Sequence, residues 1–398
     1  MPEKRVILKN CGVVDPASIE SYIANDGFKA LENAIKISST DVIEEIKKSG
    51  LRGRGGAGFP TGIKWEMTSK SVSDEKYVLC NADEGEVGTF KDRYIIQNDP
   101  FSLVEGIAIA SYAVGAKKAY IYLRAEYNFL LSVLQNAIDQ SREKGYLQKA
   151  GVDIEIFEGA GAYICGEESA LIESIEGKRG EVRYRPPFPP TEGLWKKPTV
   201  IDNVETLMNI PRIMAEGAEW FSQMGVERSK GTKVFSICGD VEKAGVYELI
   251  MGTPLRELVE DLAEAKDVKM VQIGGASGRV LTYENIDTPL SFETVLGAGG
   301  VMVFNQSRDI IEIVRMNADF FAEESCGKCF PCREGTKRML DLVTRFAEHR
   351  AKPRDMQALE DLSETMMLSS LCGLGQAAPN SLMDTLKYYH SEYESRIV

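Results

Sequence analysis

Apolar positions change their spacing several times along the chain. Over residues 15 to 50 they recur at three- and four-residue intervals among charged neighbours, as at Ile43 and Ile46, which predicts helix. From about residue 76 short apolar runs alternate with longer periodic segments. Tyr77–Cys80, Ala119–Leu123 and Val152–Phe157 read as strands, and helices are expected from Ser102 and from Glu126. That alternation predicts an α/β layer with a largely parallel sheet. The glycine-bounded turn Gly159–Gly166 leads into a helix over Glu167–Ile175, and the proline-rich passage Arg185–Pro198 is expected to form an ordered loop or linker. After Gly231 the texture changes: Lys233–Cys238 and Val246–Ile250 are strand-like and hairpin-spaced, and Pro254–Leu262 reads as a helix with proline in its first turn. Val268–Ile273 and Met302–Phe304 complete a small α+β unit. From Asp309 onward the pattern is helical, interrupted by a cysteine loop.

With 398 residues, 43% of them hydrophobic, the chain has room for two or three domains with real cores. The start, M-P-E-K-R-V-I-L-K-N, lacks the apolar region of a signal peptide. No stretch reaches the roughly 18 apolar residues of a membrane span; Leu103–Val114 is interrupted by Glu105 and Ser111 and reads as a buried helix. A net charge of −13 argues against nucleic acid as a partner. A soluble, cytoplasmic protein is expected, reaching any membrane only through other subunits. The only two histidines, His349 and His390, lie in charged helical sequence and are expected on the surface. Histidine-based hydrolysis, zinc catalysis and general-base chemistry are therefore disfavoured, and cofactor-borne chemistry is expected.

Half of the 8 cysteines serve one pattern: Cys326, Cys329 and Cys332 at two-residue gaps, then Cys372 in S-L-C-G-L-G. Three thiolates on one tight loop with a distant fourth suit a [4Fe–4S] cube, one thiolate per iron. A structural zinc site is the alternative, although zinc more often pairs C-x2-C with a second C-x2-C or with histidines. Cys11, Cys80, Cys165 and Cys238 are isolated and read as small packed residues.

Leu51–Lys64 contains a literal G-x-G-x-x-G at Gly53, Gly55 and Gly58, but a helix-like segment precedes it, so it fails the strand-before context of a Rossmann fingerprint. No Walker A pattern fits either. The physical content remains: five glycines in ten residues let backbone N–H groups approach an anion, and Arg52, Arg54 and Lys64 supply charge suited to phosphate. A plain glycine hinge would not need those cations. Two acidic loops complement this one. Asn81–Thr89 follows a strand end, where ligands sit in open α/β sheets. Cys165–Leu171 opens a helix, and its acids would equally suit the helix N-terminus. Together the three loops suggest carboxylates and amides for ribose or ribityl hydroxyls and cations for phosphate.

R-G-R-G-G-A-G-F-P-T-G-x-K-W, N-A-D-E-G-E, G-A-G-A-Y-I-C-G-E-E, R-P-P-F-P, N-V-E-T and S-C-G-x-C-x-P-C-R-x-G occur in one order from about residue 20 to the end. In this the chain resembles the NADH-oxidising flavoprotein subunit of respiratory complex I and of NAD-linked [FeFe] hydrogenases. The loop C-G-K-C-F-P-C-R-E-G-T-K-R-M-L looks closer to the hydrogenase branch. The resemblance implies an α/β Rossmann-like FMN- and NAD(H)-binding domain over residues 1–228 with an N-terminal helical segment. A small β-grasp (ubiquitin-like) α+β domain would follow over 229–307, then a C-terminal helical bundle carrying a [4Fe–4S] cluster over 308–398.

Carried over by motif, Gly53, Arg54, Gly55 and Lys64 would cradle the FMN phosphate side. Asn81, Asp83, Glu84, Gly166, Glu167, Asn203 and Thr206 would surround the ribityl chain and isoalloxazine. NAD(H) would lie over the flavin with adenine against Phe59 and Phe188, contacted by Glu86, Tyr163, Glu168 and Arg185. Cys326, Cys329, Cys332 and Cys372 would hold the cluster. Relatives often carry an aromatic at Met67 and a lysine at Arg185, which puts adenine-side affinity in question but not the chemistry.

The implied reaction is reversible hydride transfer between NAD(H) and FMN, then single-electron transfer to the cluster and on to partner subunits. The implied partners are a thioredoxin-like [2Fe–2S] subunit and a catalytic hydrogenase or other redox subunit, with no direct membrane contact. Complex I or an NAD-dependent formate dehydrogenase are alternative settings, and electron bifurcation stays open. Compared with the largest hydrogenase-linked members, the chain is expected to lack the N-terminal [2Fe–2S] and C-terminal ferredoxin-like extensions. Two readings of another class stand beside this one: a non-catalytic iron–sulfur relay scaffold and a zinc-structured binding module.

Overall fold

Four strands, β1 (Tyr77–Ala82), β2 (Lys118–Leu123), β3 (Asp153–Glu158) and β4 (Thr199–Asn203), pair in parallel in the order β3-β2-β1-β4 in the computed structural model, which describes residues 3–398. Side-chain alternation explains how one sheet serves two cores. Val78, Cys80 and Ala82 face one core with Ala119, Ile121 and Leu123, whereas Tyr77, Leu79 and Tyr122 face a second core shared with the C-terminal helices. The first face is covered by Pro100–Val114, a helix buried nearly all round, and by Val204–Glu216. The former starts ahead of the expected Ser102 because Asp99 caps it and Pro100 occupies its first turn.

β4 escaped the sequence reading, and the loop expected ahead of it needs a correction. The passage Arg185–Pro198 also holds short helical turns at Pro189–Glu192 and Leu194–Lys196, and the strand follows directly after it. Residues 15 to 50 divide into three short helices, Ile19–Ala24, Lys29–Ala34 and Ser39–Ser49, the first two separated where Asp26 and Phe28 adopt positive φ and the third opening at its Ser38 cap.

A second, mixed sheet comprises β5 (Thr232–Gly239), β6 (Gly245–Ile250), β7 (Val268–Ile273), β8 (Arg279–Thr282) and β9 (Gly300–Asn305) in the order β8-β7-β9-β5-β6. β9 runs parallel to β5 and the other pairs are antiparallel. The four-residue edge strand β8 escaped the sequence reading. The helix expected from Pro254 winds as a wide π turn over Glu257–Leu262, and Pro254 instead bridges to Pro289.

The C-terminal region is helical: Ile310–Glu324, Phe330–Ala347, Pro353–Ser369 and shorter segments after them. His349 and His390 are exposed. Among the described residues no helix is long and apolar enough to cross a membrane. Two buried carboxylates tie the layers together. Glu248 on β6 accepts the N–H groups of Val6, Ile7 and Leu8 at 2.8, 3.0 and 2.9 Å, and Asp384 receives Arg279 of β8 at 2.7 and 2.6 Å.

Candidate functional site

The carboxyl ends of β1 and β4 lie side by side where the strand order reverses, the crevice in which open parallel sheets bind ligands. The glycine loop sits against it, closed at its base by Gly53 N–H donating to the Phe59 carbonyl at 2.9 Å and Thr61 N–H to Leu51 at 3.0 Å. Gly56 and Gly58 have φ of +121° and +64°, conformations glycine adopts freely. A Cβ on Gly55 would lie 3.0 Å from the Asn203 Cβ, so the loop approaches β4 as closely as a bare backbone allows. The Arg54 amide donates to Thr206 Oγ1 at 2.8 Å, and Asn203 Oδ1 accepts the Glu205 N–H at 3.0 Å as the cap of Val204–Glu216. Glycine amides beside the N-terminus of a full-length helix make an environment suited to phosphate.

A buried charge cluster holds this loop to the second sheet. Glu205 receives Lys233 of β5 at 2.7 Å and Lys91 at 2.9 Å, and Lys233 Nζ also donates to the carbonyls of Arg54 and Ala298 at 3.1 and 2.9 Å. Burial pushes the Lys233 amine down to about 7 against the pull of Glu205.

The acidic loop after β1 begins with Asn81, whose side-chain amide donates to the Gly166 carbonyl at 2.8 Å and whose Oδ1 accepts the Asp83 N–H at 3.0 Å. The Asp83 side chain is buried, and neither carboxylate oxygen has a hydrogen-bond partner. Burial pushes its carboxyl up to about 7, with Arg124 Nη1 pulling the other way from 3.9 Å. An orphaned buried acceptor at the ligand crevice fits a polyol whose hydroxyls can donate to it. Glu84 differs: it accepts N–H from Asp92 and Arg93 at 2.8 and 3.1 Å and the Tyr127 hydroxyl at 3.1 Å, all within the protein.

The third loop is the turn Tyr163–Gly166 and the helix Glu168–Ile175. Glu167 Oε2 accepts the N–H groups of Ser169 and Ala170, each at 3.0 Å, so this residue caps the helix, and Oε1 pairs with Arg185. Glu168 lies 2.9 Å from Arg185, and burial raises its carboxyl above the usual range. Glu86 accepts the Tyr163 hydroxyl at 2.8 Å and Ser277 Oγ at 2.5 Å, the latter from the second-sheet unit. Phe59 and Phe188 expose 49% and 47% of their surface, with the Arg185 guanidinium 5.9 Å from the Phe188 ring. Two cations assigned to the phosphate side are occupied within the protein: Arg54 is buried on the carbonyls of Lys230 and Arg52, and Lys64 pairs with Asp202 at 2.6 Å.

Cys326, Cys329, Cys332 and Cys372 line one cavity with Ile164, Val182, Leu371 and Leu374. Gly327 at φ +77° turns the chain between the first two, Cys329 precedes the helix Phe330–Ala347, and Pro331 starts that helix so that Cys332 falls on its first turn. All four are free thiols. Among the described residues no three His, Cys, Asp or Glu side chains converge tightly enough for a single ion, whereas these four surround a common space, an arrangement that fits a cluster with one thiolate per iron. Burial pushes the Cys332 thiol up to about 11, with a Ser325 contact at 3.2 Å opposing it. The amides of Leu374 and Gly375 partly offset the same effect at Cys372.

Two family models match this layout: the Nuo51 FMN-binding domain over residues 46–212 and the NADH-ubiquinone oxidoreductase-F iron–sulfur binding region over 312–396. The NADP-reducing hydrogenase subunit HndC of Solidesulfovibrio fructosivorans is 42% identical over 409 residues, covering 99% of this chain and 83% of that protein. The chain belongs to the NADH-binding flavoprotein subunits of complex I and NAD-reducing hydrogenases. An NADH-quinone oxidoreductase subunit of Aquifex aeolicus is 43% identical over 390 residues, with 95% of this chain and 91% of that protein covered. The crystal structure of an NAD+-reducing [NiFe]-hydrogenase in the air-oxidized state aligns with a TM-score of 0.91 at 39% identity, over 100% of this chain and 67% of that one. Its H2-reduced counterpart aligns with a TM-score of 0.87 at 40% identity, over 92% of this chain and 64% of that one. The family's cofactors are FMN and a [4Fe–4S] cluster, and its substrate is NADH.

Several residues at this flavoprotein site escaped the sequence reading. Asp202 directly precedes the quoted N-V-E-T motif, Glu205 is its glutamate, and Arg124 follows directly after an apolar strand, so each carried a weak local signal. Lys233 and Ser277 carried none. They reach the site only through the packing of the second sheet, 28 residues from Glu205 and 191 from Glu86.

Proposed function

We propose that the chain is the NADH-oxidising module of a multisubunit redox enzyme, in which the crevice between β1 and β4 holds FMN and the cysteine cavity holds its electron exit. One observation carries the reading. The turn Tyr163–Gly166 belongs to both sites: Ile164 lines the cysteine cavity, while the Gly166 carbonyl takes the Asn81 amide in the crevice.

Bound there, FMN would supply two-electron exchange of one hydride with NAD(H) and one-electron delivery to the cluster. The protein's share is alignment, exclusion of water and electrostatic tuning. Gly55, with the N-terminus of Val204–Glu216, would receive the phosphate through backbone donors, while Gly53 and Arg54, whose own N–H groups are taken by the Phe59 carbonyl and by Thr206, would shape the loop around it. Lys64 would contribute charge from its pairing with Asp202. Asn81, Asp83, Gly166, Asn203 and Thr206 would line the ribityl side, and Glu84 and Glu167 would act indirectly, by holding the Asp92–Arg93 backbone and the helix after Gly166. Glu86, Tyr163, Glu168 and Arg185 would meet the dinucleotide, with Phe59 and Phe188 offering exposed faces for adenine.

The strand order of the second sheet supports reading residues 229–307 as a β-grasp unit between an FMN domain at 1–228 and a helical cluster domain at 308–398. Hydrogenase relatives and the cysteine-loop resemblance favour a cytoplasmic NAD-linked hydrogenase with a thioredoxin-like [2Fe–2S] subunit as the setting, and the [FeFe] type rests on that loop resemblance alone. Purified protein should yield FMN, iron and acid-labile sulfide, and should bleach its flavin on NADH addition. Iron and sulfide without flavin would establish a relay scaffold instead, and zinc without sulfide a structural module. Co-purifying subunits would identify the acceptor.

A further inference from the structure

The parallel register sets Ala82 opposite Leu123, so the next residues out of β1 and β2 are Asp83 and Arg124. The Arg124 N–H donates to the Ala82 carbonyl at 3.3 Å, which keeps the two strand ends level. The Asp83 side chain is 2% exposed and that of Arg124 17%. Arg124 Nη2 donates to Glu126 at 2.6 Å, but Nη1 is buried without a partner, as are both Asp83 oxygens. Nη1 and Oδ1 stand 3.9 Å apart, too far for a hydrogen bond and near enough for one oxygen atom to bond both.

The gap is built rather than slack. Glu126 holds the guanidinium from one side, and Asn81 Oδ1 holds the Asp83 backbone at 3.0 Å from the other. Gly85 keeps the space clear: a Cβ there would lie 2.3 Å from Arg124 Nη1 and 3.0 Å from the Tyr163 ring. A buried donor and a buried acceptor left facing each other are both costly, and native proteins rarely leave either unmet.

We propose that Arg124 Nη1 and Asp83 form a two-sided clamp on one hydroxyl of the FMN ribityl chain, the arginine donating to its oxygen and the carboxylate accepting its proton. A hydroxyl satisfies both groups because it accepts and donates at once. A phosphate oxygen would be repelled by Asp83, and a carbonyl oxygen would leave it unmet. The clamp gives Arg124 a ligand-facing role that no motif assigned to it, and it rests on the reading of this crevice as the FMN site.

Holoprotein carrying Arg124→Gln, Asp83→Asn or both is compared with the natural chain for FMN retention. Each is then reloaded with FMN or with its 2′-, 3′- and 4′-deoxyribityl analogues. Each single change is expected to weaken FMN binding about tenfold or more, as for loss of a charge-assisted hydrogen bond, with the double variant losing less than the product of the singles. One analogue should bind the natural chain about tenfold less well and show no further loss with Arg124→Gln. Equal losses across all four flavins, or unchanged FMN retention in folded Arg124→Gln protein, would overturn the clamp. Should Arg124→Gln not fold, Asp83→Asn is judged against the analogues by the same criterion. A natural chain that binds no FMN overturns the crevice reading, and the clamp with it.

Discussion

Alanine at Gly53 and at Gly55 should separate two reasons for glycine in one loop. At Gly55 the new Cβ would stand 3.0 Å from Asn203 Cβ and 3.4 Å from its Cγ. Asn203 cannot give way freely, because it caps Val204–Glu216 through Glu205 at 3.0 Å and donates to Asp92 at 2.7 Å. Loss of an asparagine cap costs about 0.5–2 kcal/mol, and weakening a hydrogen bond to a charged group about 1.5–3 kcal/mol. With partial displacement of both, Gly55→Ala should destabilise the protein by about 1–3 kcal/mol. At Gly53 the added Cβ meets only the Phe59 backbone, at 3.6 and 3.8 Å, an ordinary contact. Gly53→Ala should therefore leave stability within about 0.5 kcal/mol, while weakening FMN retention where the bare backbone approaches the phosphate. Urea unfolding of flavin-depleted protein measures the first quantity and flavin release the second. The reasoning fails if Gly55→Ala is as stable as the natural chain, or if Gly53→Ala unfolds early yet holds FMN normally.

Cys329→Ser should abolish the cluster's paramagnetic signal and electron delivery to a partner while preserving NADH-dependent flavin bleaching; lost bleaching in protein that still holds FMN would contradict separate sites. Lys233→Met should cost about 3 kcal/mol, because it leaves Glu205 with Lys91 as its one paired cation, beside the Val234 N–H, and strips the Arg54 and Ala298 carbonyls of a donor; denaturant unfolding checks this, and a loss below about 1 kcal/mol would deny the link between sheets. Burial raises the Asp83 and Glu84 carboxyls to about 7. From about pH 4 to pH 7 the folded, flavin-depleted chain thus holds protons that the unfolded chain has lost, and these groups make stability fall as pH rises across that window. Asp83→Asn should flatten that fall, by up to about 1.4 kcal/mol per pH unit; an unchanged slope in unfolding titrations would show that Asp83 stays ionised throughout.

The parts legible in sequence were those whose geometry is local. Three cysteines at two-residue gaps define their loop through Gly327 and Pro331 alone, and β1, β2 and β3 announce themselves as apolar runs bounded by polar turns. β4 stayed hidden because its five residues end in Asp202-Asn203, polar where the strand meets the crevice, and because prolines precede it. Charge was visible but its destination was not. Arg54 and Lys64 looked free for phosphate, yet their partners, the Lys230 carbonyl and Asp202, lie 176 and 138 positions along the chain. Glu167 carried both a helix-cap and a ligand reading, and its side chain takes the cap.

The cysteine site and the crevice could have been independent pockets on separate domains. The turn Tyr163–Gly166 argues otherwise, because it is pinned at both ends by different parts of the chain. Its Tyr163 N–H donates to Glu324 at 3.0 Å, on the last residue of the helix that leads into Cys326, and the Tyr163 ring meets Phe320 edge-on with centroids 5.0 Å apart. Its far end is fixed by Asn81 at the tip of β1. Between these anchors Ile164 forms part of the cysteine wall. A displacement of the C-terminal helices would therefore pull on the same turn that shapes the crevice, and a change at Asn81 would be felt at the cysteines. Glu86 extends the coupling by joining Tyr163 to Ser277 of the second-sheet unit, whose carbonyl in turn takes the Asn380 amide at 2.8 Å. All three parts of the chain thus meet at one tyrosine, beside the residues proposed to receive NADH. That placement makes the spacing between the crevice and the cysteine cavity a property of local packing, which the proposed electron transfer between them requires.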